Sequence, residues 1–164
     1  MAQSGPGGVG GTPIVMLGDG TYMMMNSELA TAVALGIKIT VVITDNRGYG
    51  CINRLQMGTG GAEFNNLLAH SHMGENSKID FAAHAAAMGA TSVHVKTIAE
   101  LEAALAKAPS ISGPYVVVID TDPYPSTSQG GWWWDVAVPE VSDRDTVREK
   151  REAYVAQLRA RAMG

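Results

Sequence analysis

Cysteine is almost missing from this chain of 164 residues: Cys51 stands alone, which excludes an internal disulfide and suits a reducing compartment. Charge is sparse as well. Charged residues make up 17% of the chain and the formal net charge is −4, with no basic stripe ahead of the C-terminal tail, so nucleic-acid binding has no electrostatic footprint here. No apolar run approaches the roughly 20 residues that a bilayer-spanning helix requires. The opening "MAQSGPGGVGGTP" has neither a charged nor an apolar region of the kind a secretory signal carries. A cytoplasmic location is therefore expected. With 46% hydrophobic residues, what is present is enough to bury one globular core.

The apolar runs alternate with helix-like segments. Residues 13 to 17 read as a buried strand, and Asn26 or Ser27 can cap a helix through Leu35, with Leu29, Ala32 and Val33 on one face and Gly36 as its stop. "ITVVIT", residues 39 to 44, is β-branched throughout and reads as a strand. Residues 47 to 77 are rich in Gly and Asn and are expected to form a long loop. Asp80 caps a helix carrying Phe81, Ala85 and Met88 to Gly89, and Ser92 to Val95 is a short strand. Thr97 and Glu100 have capping-box spacing ahead of Leu101 and Leu105, with Pro109 closing the helix. "YVVVID", residues 115 to 120, is another buried strand, and residues 142 to 162 read as a charged, solvated amphipathic helix. Strand–helix alternation of this kind implies an α/β, doubly wound parallel sheet. The expected division is a Gly-rich leader over 1–12, the main domain over 13–125, and a Trp-rich segment with the terminal helix over 126–164.

Ligands of such sheets bind beyond the carboxyl ends of the strands. Asp19, within "LGDGTY", lies just past one strand, and Asn46, within "TDNRGYG", lies just past the next, 27 positions later. If those strands pair, their ends lie about 4.8 Å apart. A carboxylate and an amide oxygen would then converge, joined by the Gly48 carbonyl. Hard oxygens of this kind suit Mg²⁺, which shares its octahedral shell with phosphates and water. Gly18 and Gly20 would let the backbone approach a diphosphate, with amides near Gly20 and Thr21 to bind it.

"GDG" followed after a strand-length interval by "DN" resembles the diphosphate-binding motif of thiamine diphosphate (ThDP) enzymes. That motif usually carries two asparagines at its second site; Asp45 replaces the first, and Asn46 matches the metal-ligating second. More narrowly, "GDGTYMMMNSELATAVALGIKITVVITDNRGYGCINRLQ", "IDFAAHAAAMGA", "VVVIDTDP" and "WWWDVAVPEVS" are similar to the C-terminal part of the ring-opening trihydroxycyclohexanedione hydrolases of myo-inositol catabolism. The resemblance implies a diphosphate-binding domain, incomplete at its N-terminus, that binds ThDP and Mg²⁺. It implies Asp19, Asn46 and Gly48 as metal ligands. Gly18, Gly20, Thr21, Asn46, Tyr49, Gly50 and Cys51 would lie against the cofactor. The substrate it implies is a polyol-derived dione, opened by carbon–carbon cleavage to 5-deoxy-D-glucuronate in a homo-oligomeric enzyme.

Enzymes of this kind activate ThDP with a glutamate from a separate pyrimidine-binding domain, for which the chain is too short. Neither Glu28 nor Glu63 has the context of that glutamate, so no catalytic residue is assigned, and the missing domain or a partner chain is expected to supply it. Two other functions compete: an acetolactate synthase-like carboligase, and a noncatalytic cofactor-binding or scaffolding fragment. A phosphoacceptor role for Asp19, as in a receiver domain, leaves Asn46 and the flanking glycines unexplained. Plain roles are expected for the remaining conspicuous residues. Met23 to Met25 should pack on the sheet, and Cys51 should pack beside the cofactor. His70 and His72 should lie on a polar loop, and His84 and His94 at or near the surface. Trp132 to Trp134 are expected at an interface or substrate pocket, since adjacent side chains point different ways.

Overall fold

The computed structural model describes residues 11–72, 74, 77, 79–126 and 135–162. Four strands, β1 (Ile14–Gly18), β2 (Thr40–Asp45), β3 (Thr91–Val95) and β4 (Tyr115–Asp120), form one sheet in the order β1-β2-β4-β3. Every pairing is parallel. The helices are α1 (Asp19–Met24), α2 (Ser27–Ala34), α3 (Gly50–Gly58), α4 (Phe81–Ala87), α5 (Ile98–Lys107) and α6 (Asp145–Ala162). The chain thus has the expected doubly wound α/β fold.

The central strands show why. Along β4, Val116 and Val118 join one apolar cluster with Tyr22, Leu29, Phe81 and Ala85, supplied by α1, α2 and α4. Tyr115, Val117 and Ile119 join a second cluster with Val95 and with Ala104 of α5. Successive strand residues face opposite sides, so an unbroken apolar run is what a strand covered on both faces needs. β2 divides likewise, with Ile43 in the first cluster and Val42 in the second.

Local signals set the helix ends. Asp80 accepts the Ala83 N–H at 2.9 Å, and Thr97 and Glu100 close the expected capping box on α5. Gly36 and Gly89 take positive φ values of 60° and 95°, where they stop their helices. α6 begins at Asp145, three residues later than expected, because the Ser142 hydroxyl accepts the Arg144 N–H in a turn before the helix.

Three expectations are overturned. Residues 47 to 77 are not one loop: α3 and a short 3-10 turn, Leu68–His70, lie within them. Asn53 is buried inside α3, so a polar residue there did not signal a surface loop. β1 is not a buried strand; it is the sheet edge, with Ile14 63% and Met16 66% exposed. Met23, Met24 and Met25 do not pack on the sheet but are exposed, since Tyr22 is the α1 residue that enters the core. Trp132 to Trp134 lie outside the described residues.

Ile43 is wholly buried between β1 and β4, so Ile43→Ala is expected to cost about 2–5 kcal/mol. Met16→Ala on the exposed edge should stay within about 0.5 kcal/mol, and urea unfolding of the two variants measures the contrast.

Candidate functional site

β1 and β2 pair with Gly18 opposite Thr44, so the segments leaving them start side by side. The Thr44 hydroxyl donates to the Leu17 carbonyl at 3.2 Å and reinforces this junction. Asp19 opens α1 and is only 4% exposed. Its Oδ2 accepts the Gly48 N–H at 2.8 Å, which ties the end of β1 to the loop after β2.

That loop is tightly specified. Arg47 has φ 57°, in the left-handed region, and Gly48 has φ 151°. A Cβ at Gly48 would lie 2.5 Å from the Asn66 carbonyl oxygen and 2.8 Å from Leu67 Cα, so only glycine fits. Around it, Tyr49 N–H donates to the Asn66 carbonyl at 2.7 Å and Leu68 N–H to the Arg47 carbonyl at 2.9 Å. This short antiparallel clip between 47–49 and 66–68 holds the Gly48 backbone against the Asp19 carboxylate.

The Asn46 side chain completes the arrangement. One heavy atom of its amide lies 3.3 Å from Asp19 Oδ1 and 2.8 Å from the Gly48 carbonyl oxygen. With nitrogen in that place, the amide donates to both acceptors. With oxygen there, the Asn46 oxygen lies 2.8 Å from the Gly48 carbonyl oxygen and 3.3 Å from Asp19 Oδ1. Octahedral Mg²⁺ with bonds of 2.0–2.1 Å places adjacent ligands about 2.9 Å apart. A carboxylate, an amide and a carbonyl therefore fit Mg²⁺, and half a turn of one amide separates the two arrangements. Among the described residues, no group of three or more His, Cys, Asp and Glu side chains offers a competing cation site.

Electrostatics point the same way. Burial pushes the Asp19 carboxyl above its ordinary value, and the nearby Asp45 charge adds to that, while backbone N–H groups of Gly48, Asn46 and Gly20 oppose it. The charged form is thus under-compensated by the protein's own groups, and a cation is the chemical remedy.

Asp19, Asn46, Gly48, Gly20, Tyr49 and Gly50 are brought together as the motif implied, though not always for the implied reason. A Cβ on Gly20 would meet the Tyr49 ring at 2.5 Å, so Gly20 makes room for that ring. Gly18 keeps open space on its side-chain face: a Cβ there would meet only the Thr44 carbonyl oxygen, at 4.0 Å. A Cβ on Gly50 would strike the Asn46 amide at 2.7 Å, so this glycine accommodates the Asn46 side chain. Thr21 is exposed and lines a groove with Met24 and Met25. Cys51 is exposed on the first turn of α3, beside the buried Gly50.

Several residues were not anticipated. Asp45, 3% exposed, accepts the Arg47 N–H at Oδ1 (3.0 Å) and pairs with the Arg47 guanidinium at Oδ2 (3.0 Å). An Asp two residues before a chain reversal is an Asx-turn signal that the sequence does carry. Glu63 joins the buried Asn53 amide at 2.7 Å and lies 3.7 Å from His70, whose ring meets the Tyr124 hydroxyl at 3.3 Å. His84 meets the Tyr22 hydroxyl at 3.0 Å and His94 meets Asp120 at 2.7 Å, so both have structural partners.

The raised Asp19 pKa makes stability depend on pH. Its folded pKa lies above the ordinary 3.8, so between 3.8 and the raised value the folded chain holds more protons than the unfolded one. Stability of the cation-free chain then falls as pH rises through that window, and the deficit persists above it. Asp19→Asn, which keeps an oxygen for the Gly48 N–H, is expected to melt higher than the parent at pH 7 in chelator. The difference should vanish below pH 3.8, as thermal unfolding across a pH series will read.

Known proteins share this architecture. The model of the thiamine pyrophosphate enzyme C-terminal TPP binding domain matches residues 6–119. A Bacillus cereus (strain AH820) protein named 3D-(3,5/4)-trihydroxycyclohexane-1,2-dione hydrolase is 39% identical over 153 residues, covering 87% of this chain and 23% of the relative. A Bacillus thuringiensis (strain Al Hakam) protein of the same name is likewise 39% identical over 153 residues, with the same coverage of 87% and 23%. The chain therefore spans about a quarter of the length of these curated relatives. Among solved structures, benzoylformate decarboxylase from Polynucleobacter necessarius matches with TM-score 0.58 and 23% identity, over 70% of this chain and 20% of that one. The ThDP-dependent 4-hydroxybenzoylformate decarboxylase of Rhodococcus jostii RHA1 matches with TM-score 0.57 and 20% identity, over 71% of this chain and 20% of that one. At those identities the two structures speak for the fold. With the matched model covering most of the chain, and with the paired strand ends at its centre, this protein belongs to the thiamine pyrophosphate enzyme family through its C-terminal TPP-binding domain.

Proposed function

We propose that this chain is the ThDP- and Mg²⁺-binding part of a hydrolase that opens the ring of 3D-(3,5/4)-trihydroxycyclohexane-1,2-dione. The observation that carries the reading is the convergence of Asp19, Asn46 and the Gly48 carbonyl at neighbouring strand ends. The 39% identity to proteins named for that reaction supplies the substrate class.

In this reading Asp19, Asn46 and Gly48 hold the Mg²⁺, and Asp19 keeps its carboxylate charged by sharing it with the metal. Gly18 leaves room for the diphosphate, with the Gly20 and Thr21 N–H groups beside it. Tyr49, buttressed on Gly20, and Gly50 and Cys51 at the start of α3 border the cofactor. ThDP, when bound, supplies the nucleophilic carbon and electron sink for carbon–carbon cleavage; the protein supplies orientation and electrostatics. The activating glutamate comes from a pyrimidine-binding domain in another part of the polypeptide or in a partner chain. The working enzyme is a cytoplasmic homo-oligomer that takes a small polyol-derived dione.

Calorimetry with ThDP and Mg²⁺ tests the cofactor assignment. Weak binding by the parent chain is expected, and Asp19→Ala should lose at least about tenfold in affinity, the loss of one charge-assisted contact. Equal affinities would overturn the metal site. The 164-residue chain alone should open no ring, and measurable product from the trihydroxy dione would refute the assignment of the activating group elsewhere.

A further inference from the structure

Asp45 ends β2 as a nearly inaccessible carboxylate, 3% exposed. Oδ1 accepts the Arg47 backbone N–H at 3.0 Å, while Oδ2 lies 3.0 Å from an Arg47 guanidinium nitrogen as an ion pair and accepts no hydrogen bond. The Asp45 carbonyl accepts the Thr121 N–H at 2.8 Å, so its backbone is locked to the segment leaving β4. The carboxylate is therefore a fixed post against which the next two residues are turned.

Arg47 is the residue turned. A non-glycine at φ 57° is held in a sparsely populated region, and such conformations persist only where surrounding contacts overdetermine them. Arg47 has four such contacts besides its peptide link: both Asp45 oxygens, the Ile79 carbonyl at 2.9 Å from its guanidinium, and the Phe81 ring 5.8 Å below it. Its own carbonyl accepts the Leu68 N–H. The reversal at Arg47 makes the Gly48 N–H meet Asp19 while the Gly48 carbonyl turns to the Asn46 amide.

We propose that Asp45 and Arg47 are positioning residues for the cation site: the pairing of the buried Asp45 carboxylate with the exposed Arg47 guanidinium sets the loop that brings Asn46 and Gly48 to Asp19. Asp45 does this where the related motif carries an asparagine. An asparagine can accept the Arg47 N–H but cannot form the ion pair, so the aspartate and the arginine belong together. The inference rests on the Mg²⁺ reading for its consequence, but the loop-setting itself is a property of the cation-free chain.

Two measurements separate these levels. In chelator, amide hydrogen exchange at Gly48, Tyr49 and Leu68 reports the loop alone. Asp45→Ala should raise exchange there at least about tenfold, the effect of losing a hydrogen bond to a buried charge. Asp45→Asn, nearly isosteric and safe for folding, should give a smaller rise. Arg47→Gly relieves the backbone strain and deletes the ion pair, so it distinguishes strain from pairing. Faster exchange in Arg47→Gly supports the pair, whereas unchanged exchange in both Arg47→Gly and Asp45→Ala overturns the proposal. Mn²⁺ titration followed by electron paramagnetic resonance then reads the cation. Affinity should fall in the order parent, Asp45→Asn, Asp45→Ala, although none of the altered side chains is a ligand. Loosened loops with unchanged Mn²⁺ affinity would overturn the positioning role. A parent that binds no Mn²⁺ would count against the cation site itself, with the exchange data still deciding the loop.

Discussion

Everything at the working end of this molecule depends on placing a carboxylate where water barely reaches it. Asp19 emerges from β1 beside the end of β2 and is tied to the loop after β2 by the Gly48 N–H. Parallel pairing makes this possible, because both strands run out at the same edge and their following segments must share one crevice. The cost is electrostatic: burial and the Asp45 charge both oppose ionisation. A cation shared by Asp19 would relieve that conflict between burial and charge.

The loop after β2 is built to serve that carboxylate. Its shape comes from two independent constraints, the Asp45–Arg47 pair on one side and the clip to residues 66–68 on the other. Glycine is required at 48 because the clip brings backbone within 2.5 Å of where a Cβ would sit. At 20 and 50 the same freedom is spent on neighbouring side chains, the Tyr49 ring and the Asn46 amide. Glycines that look alike in a motif thus do different jobs, and among these only Gly18 retains open space beside the crevice.

Much of the fold was legible because it is locally encoded. β2 and β4 read as strands since unbroken β-branched runs suit burial on both faces, and α4 and α5 read as helices since their caps are self-contained within three or four residues. α3 escaped notice because its sequence, "GCINRLQMG", has glycine at both ends and a buried polar residue, Asn53, whose amide N–H donates to Glu63 ten positions away. β1 looked like β2 in composition, but its place at the edge depends on strand order. No periodicity carries that information.

The sequence by itself determined the alternation of strands and helices, the interval between Asp19 and Asn46, and the residue types able to hold a hard cation. Those follow from side-chain chemistry and short-range backbone preference. Tertiary structure decided that β1 and β2 are neighbours in register, that Tyr22 rather than the methionines enters the core, and that Arg47 turns the chain back so that Gly48 faces Asp19. The physical reason is range. Capping and pleating act over a few residues, whereas convergence of donors 27 positions apart needs the packed sheet to hold both strand ends still.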